Sequence, residues 1–97
     1  MKWGHQTRAL AKSLGAELKA HREMRGMTQE NLAKIIGMTR VSVCNLERGI
    51  HAPTIDTFVI ICDALGVHAD IMLRHAIETR TTPPSKKRIP KLFRGRK

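Results

Sequence analysis

Four glycines punctuate the middle of this chain, Gly26, Gly37, Gly49 and Gly66, and a threonine follows each of the first three: Thr28, Thr39 and Thr54. A glycine just past a helix adopts the left-handed backbone that closes it. A threonine just before a helix offers its hydroxyl to the first free N–H groups. Punctuation this dense restricts the chain to short helices with tight connections, and the segments between the marks obey it. Residues 7 to 25, TRALAKSLGAELKAHREMR, contain no proline and repeat Leu10, Leu14 and Leu18 at every fourth position, with Ala11 and His21 beside them. That spacing is one face of an amphipathic helix. Gly15 within it costs about 1 kcal/mol against alanine, which predicts close approach of another backbone. Thr28 opens a second helix through TQENLAKII, with Leu32, Ile35 and Ile36 expected inward beside the small Ala33. Asn31 stands where a capping box prefers Glu or Gln, while Glu30 places a negative charge in the first turn. Thr39 caps a third helix, Arg40 to Glu47, with Val43 and Leu46 inward. IHAPT reads as a loop, Thr54 caps a fourth helix through IDTFVIICDAL, and a fifth is expected from about Ala69 to Glu78. No strand pattern and no internal repeat is visible, so the expected fold class is all-α, five helices.

The length, 97 residues, allows one core. Aromatics are limited to Trp3, Phe58 and Phe93, so that core is aliphatic. No apolar run is long enough to span a membrane, and MKWGHQTRAL has no signal-peptide core. The expected location is cytoplasmic. Cys44 and Cys62 have neither disulfide-framework nor zinc spacing and read as free, buried or half-buried thiols; no metal site or cofactor is expected. The net charge of +10 is unevenly placed: residues 1–79 carry only +2, whereas residues 80–97 hold eight basic residues and no acid. The chain thus divides into a domain, 1–79, and a basic tail, 80–97, expected to be disordered in isolation. A polyanion is the natural partner, nucleic acid before membrane.

Two short helices joined by a tight glycine turn form a helix-turn-helix arrangement. In GMTRVSVCNLERG the apolar Met38, Val43 and Leu46 anchor the third helix and leave Thr39, Arg40, Val41, Ser42 and Asn45 outward, with Cys44 at the edge. A merely solvated helix more often shows Glu and Lys there. Arg reaches guanine O6 and N7, Val packs on thymine methyls, Asn pairs with adenine N6 and N7, and Ser suits a base edge or a phosphate. Arg40, Val41, Ser42 and Asn45 are therefore the expected base readers. Thr28 and Gln29 stand at a helix N-terminus that attracts phosphate; Thr39, Arg48 and His51 complete the expected phosphate contacts.

Leu14 to Leu73 resembles the XRE domain shared by phage lambda-type repressors and many small bacterial regulators. The resemblance rests on Leu14-Gly15, R-x-x-R-G at Arg22 to Gly26, T-Q-x-x-L-A at Thr28 to Ala33, L-E-R-G at Leu46 to Gly49, Pro53-Thr54, and A-L-G-V at Ala64 to Val67. It implies that Gln29 touches a phosphate, that Arg40, Val41, Ser42 and Asn45 read bases, and that Arg22 and Glu47 form a structural ion pair. It also implies bacterial or phage origin, nucleoid association, and pairing through the fourth and fifth helices on a palindromic operator with half-sites about one DNA turn apart. Ile60, Ile71, Leu73 and Ile77 exceed the needs of one small core and are the expected homodimer patch. His21 departs from the family pattern, which has an aliphatic residue there; a half-buried, hydrogen-bonded histidine is expected rather than a pH sensor.

In the tail, Lys86, Lys87, Arg88, Lys91, Arg94 and Arg96 are the expected DNA contacts. Arg94-Gly95-Arg96 resembles an AT-hook core without its flanking prolines, and nonspecific phosphate attraction is the favoured reading over minor-groove readout. The leading function is a sequence-specific double-stranded DNA-binding regulator, a ligand-free repressor of the phage, mobile-element or restriction-modification controller kind. The alternative is an antitoxin that binds its own promoter while its tail engages a partner toxin. An enzyme is disfavoured: the acids sit at cap and surface positions, no catalytic residues are assigned, and neither a nucleophile triad nor a phosphate loop is present. Membrane attachment by one polybasic stretch is weak.

Overall fold

The computed structural model describes residues 2–80, with side chains from Arg8 onward. The six expected tail contacts lie outside the described residues. Five helices follow in order: α1 (Lys2–Met24), α2 (Gln29–Ile36), α3 (Arg40–Glu47), α4 (Ile55–Leu65) and α5 (Ala69–Thr79).

The threonine caps form as the sequence predicts. Thr28 accepts from the Asn31 N–H at 2.9 Å, Thr39 from Ser42 at 3.0 Å and Thr54 from Thr57 at 3.2 Å. Gly37 closes α2 at φ 75°, and its tight turn is what lets α3 begin only three residues later. Leu14, Leu18, Leu32, Val43, Leu46, Phe58, Ile61, Leu65 and Met72 meet in one core, where the Cys62 thiol lies 3.8 Å from the Met72 sulfur. Burial, then the neighbouring Asp63 charge, pushes that thiol up to about 11. Cys44 is half-buried, and both cysteines are free.

α1 crosses the end of α3 at Gly15. A Cβ there would collide with the Leu46 carbonyl oxygen and come within 2.6 Å of the Glu47 carbonyl oxygen. The glycine is thus the close-approach point its mid-helix position predicts. α5 packs on α1: the Ser13 hydroxyl donates to the Ala76 carbonyl at 2.6 Å and lies 2.9 Å from the Thr79 hydroxyl.

Three expectations need correction. α1 starts at Lys2 rather than near residue 7, because extending a helix already nucleated costs little. α5 runs one residue further than expected, to Thr79. Ile35 does not face inward: it is 60% exposed. At about 100° per residue, Leu32, Ala33 and Ile36 fill the arc that an eight-residue helix presents to the core, and Ile35 falls past its edge. His21 is half-buried with Nε2 3.9 Å from Glu17 Oε1, but its buried Nδ1 has no hydrogen-bond partner among the described residues. The expected half-burial of His21 is thus present, with one ring nitrogen lacking the hydrogen bond that burial favours. Among the described residues no helix is long and apolar enough to cross a membrane.

Candidate nucleic-acid interface

α3 is eight residues long and is held on one side only. Val43, Leu46 and Glu47 are buried, while Val41, 60% exposed, points away from the core. Helical periodicity puts Val41, Asn45 and Arg48 on one outward stripe, with Cys44 at its border. Arg40 is exposed and flanks the stripe at its N-terminal end. Ser42 is half-buried on the other flank, and its hydroxyl accepts from the Thr39 hydroxyl at 2.9 Å. Of the four expected base readers, Val41 and Asn45 share the stripe, Arg40 borders it, and Ser42 stands apart in the cap.

The expected phosphate contacts fall around the edges of this surface. Thr28 and Thr39 are exposed N-caps of α2 and α3. Gln29 opens α2 beside the first turn of α3. Arg48 ends α3, and His51 is exposed in the loop to α4. That loop is shaped at Gly49, φ 76°, where a Cβ would lie 2.6 Å from the Lys12 backbone.

Beneath the surface lies the Arg22–Glu47 pair. Arg22 Nε donates to Glu47 Oε2 at 2.6 Å and Nη2 to Oε1 at 3.1 Å; the two side chains are only 8% and 3% exposed. Arg22 Nη1 also donates to the Met27 carbonyl at 2.6 Å. The hydrogen bond to Glu47 is the main cause raising the Arg22 pKa, against the opposing effect of burial. The carboxylate has a further role that sequence reading missed. Gln29 Nε2 donates to Glu47 Oε1 at 3.0 Å, and Arg40 Nη1 reaches Gln29 Oε1 at 3.5 Å. A chain of polar contacts thus runs from the core through Glu47 and Gln29 to Arg40. One signal was available: Glu47 shares the inward face of α3 with Val43 and Leu46, where a carboxylate needs partners.

The expected dimer residues Ile60, Ile71, Leu73 and Ile77 are all exposed. They do not share one face, since Ile71 and Leu73 lie on opposite flanks of α5. Leu73 borders an apolar groove of about 200 Å³ together with Leu10, Leu14, Pro53, Ile55 and Phe58.

Comparison with known proteins agrees with this geometry. A family model described as helix-turn-helix matches residues 18–72. An uncharacterised HTH-type transcriptional regulator of Methanothermobacter thermautotrophicus is 39% identical over 49 residues, which is 50% of this chain and 71% of that protein. The clp gene regulator ClgR from Corynebacterium glutamicum superposes with a TM-score of 0.69 at 28% identity, covering 72% of this chain and 74% of that one. The restriction-modification controller protein C.AhdI from Aeromonas hydrophila gives 0.61 at 26% identity, covering 64% of this chain and 94% of that one.

Proposed function

The chain belongs to this helix-turn-helix family of DNA-binding transcriptional regulators, and from that premise we propose that it is a repressor that occupies a palindromic operator as a homodimer. The observation that carries the reading is the outward stripe of α3. Val41, Asn45 and Arg48 project from a helix whose opposite side is buried, with Arg40 beside them. Val41 thereby offers a thymine-methyl contact, Asn45 an amide for adenine and Arg40 a guanidinium for guanine, all on one rigid element.

In this reading Arg40, Val41, Ser42 and Asn45 read bases. Thr28, Gln29, Thr39, Arg48 and His51 position the helix on phosphates. Residues 1–79 form the DNA-binding domain, and the basic tail, 80–97, adds phosphate or minor-groove contacts. The apolar residues exposed on α4 and on the two flanks of α5, Ile60, Ile71, Leu73 and Ile77, supply the surface that pairs the protomers, which must therefore reach around α5. The likeness to both a gene regulator and a controller protein supports this assignment.

Selection of bound duplexes from a random library, at about 150 mM salt where loose phosphate attraction is screened, tests it. Recovery of an inverted repeat with half-sites about one helical turn apart is the expected result. Failure to enrich any motif would remove the operator-binding reading.

A further inference from the structure

The acidic residues are unevenly spread along the sequence. Residues 1–16, 48–55 and 80–97 contain none, and each of these stretches carries basic side chains. The first two meet at one contact, and a second brings α1 to the end of α5, next to Arg80. Gly49, which follows Arg48, abuts the backbone of Lys12, and only the absence of a side chain permits that approach. On the next residue of α1, the Ser13 hydroxyl holds the end of α5 through Ala76 and Thr79, where the chain passes into Arg80 and the basic tail. Arg8 lies one turn before Lys12 on the same side of α1; both are exposed, as is Arg48. Among the described residues, none of the three forms an ion pair. The neighbouring α1 carboxylate, Glu17, lies 3.9 Å from both His21 and His75 and borders, with Lys12, Ser13 and Thr79, the hollow between α1 and the end of α5. Asp56 lies in the first turn of α4, and Glu78 directly precedes Thr79 at the end of α5.

We propose that Arg8 and Lys12 continue the phosphate-binding surface beyond the α3–α4 loop and join it to the root of the tail. The result is one cationic track for the DNA backbone flanking each half-site. This rests on the DNA-binding reading above. It adds a contact surface on α1 that the helix-turn-helix itself does not supply, and it gives the tail a fixed point of departure beside DNA. Phosphate is the fitting ligand because the track offers long cationic side chains and no partner that would select a base.

The test is binding of the full chain to its selected duplex, and to a scrambled duplex, over a series of salt concentrations. Arg8→Gln/Lys12→Gln is compared with the unsubstituted protein and with Arg74→Gln, an exposed change on the outer side of α5. The double variant should flatten the salt dependence by roughly 0.9 in log–log slope for each phosphate it no longer neutralises, about 1.8 for the two side chains together. It should weaken both duplexes alike, leave base preference unchanged, and lose protection of the flanking phosphates from hydroxyl radical. An unchanged slope and footprint with normal helicity would overturn the track. A changed base preference would also overturn it, by showing that α1 acts through α3. If the variant loses helicity, the footprint of the unsubstituted protein decides: cleavage of the flanking phosphates as in free DNA would overturn the proposal. No duplex binding by the unsubstituted protein would overturn the DNA-binding reading itself, and the track with it.

Discussion

A residue on the outward stripe of α3 and a residue at a helix crossing fail in different ways when changed. Asn45 is half-buried and its side chain forms no hydrogen bond among the described residues. Asn45→Ala should cost about 1–3 kcal/mol of operator binding and relax preference at one base pair, with stability moved by no more than about 0.5 kcal/mol. Competition with duplexes changed one pair at a time measures the first effect, and thermal unfolding the second. Equal weakening on operator and scrambled DNA would count against base reading. Gly15 is the opposite case. Alanine there gains about 1 kcal/mol of helix propensity, yet its Cβ would press on the carbonyls of Leu46 and Glu47. Overpacking of that kind costs typically about 1–3 kcal/mol, and the obstacle is backbone, so Gly15→Ala should lower the unfolding midpoint despite the better helix former. A rise in the midpoint would show that α1 can draw back from α3 freely.

Each helix owes its limits to local chemistry and its orientation to partners elsewhere in the chain. The boundaries of α2, α3 and α4 are legible in the sequence because a threonine cap and a left-handed glycine act on residues within one turn of themselves. The inward set of α2 is less so. Apolar spacing alone places Ile35 inside, whereas the width of the arc that α4 and α3 leave for an eight-residue helix is a property of the assembled bundle. The link from Glu47 through Gln29 to Arg40 is likewise out of reach, since it depends on where two side chains from different helices end. The Arg22–Glu47 pair, implied by the family resemblance, holds three elements together: α1, the Met27 turn and α3. Arg22→Ala should destabilise by about 3–5 kcal/mol, because it leaves a buried carboxylate with its chief partner gone. Denaturant unfolding checks this. A drop of less than about 1 kcal/mol, the range of an exposed pair, would mean that water reaches Glu47 once the guanidinium is removed.

Over the whole molecule, a nearly neutral helical body carries a strongly basic tail. Removing residues 80–97 takes away eight positive charges. Binding should weaken on every duplex, and the salt slope should flatten by roughly 0.9 for each phosphate the tail would have neutralised. An unchanged slope would show that the tail does not touch DNA. This division is plain in the sequence, because charge needs no folding to be counted. The meeting of Lys12 with Gly49 and of Ser13 with Thr79 is hidden there, because each joins residues tens of positions apart. The one-sided burial of α3 has a consequence for how such a chain can change over time. Val41 and Asn45 add little to the core, so in the proposed reading substitutions there alter which operator is favoured while leaving foldability nearly untouched. Glu47 and Gln29 carry both duties, and a lineage that changes them must repair its scaffold before it can acquire new targets. Divergence of binding sites should therefore run along one stripe of one helix, with the remainder of the body held as a fixed mount.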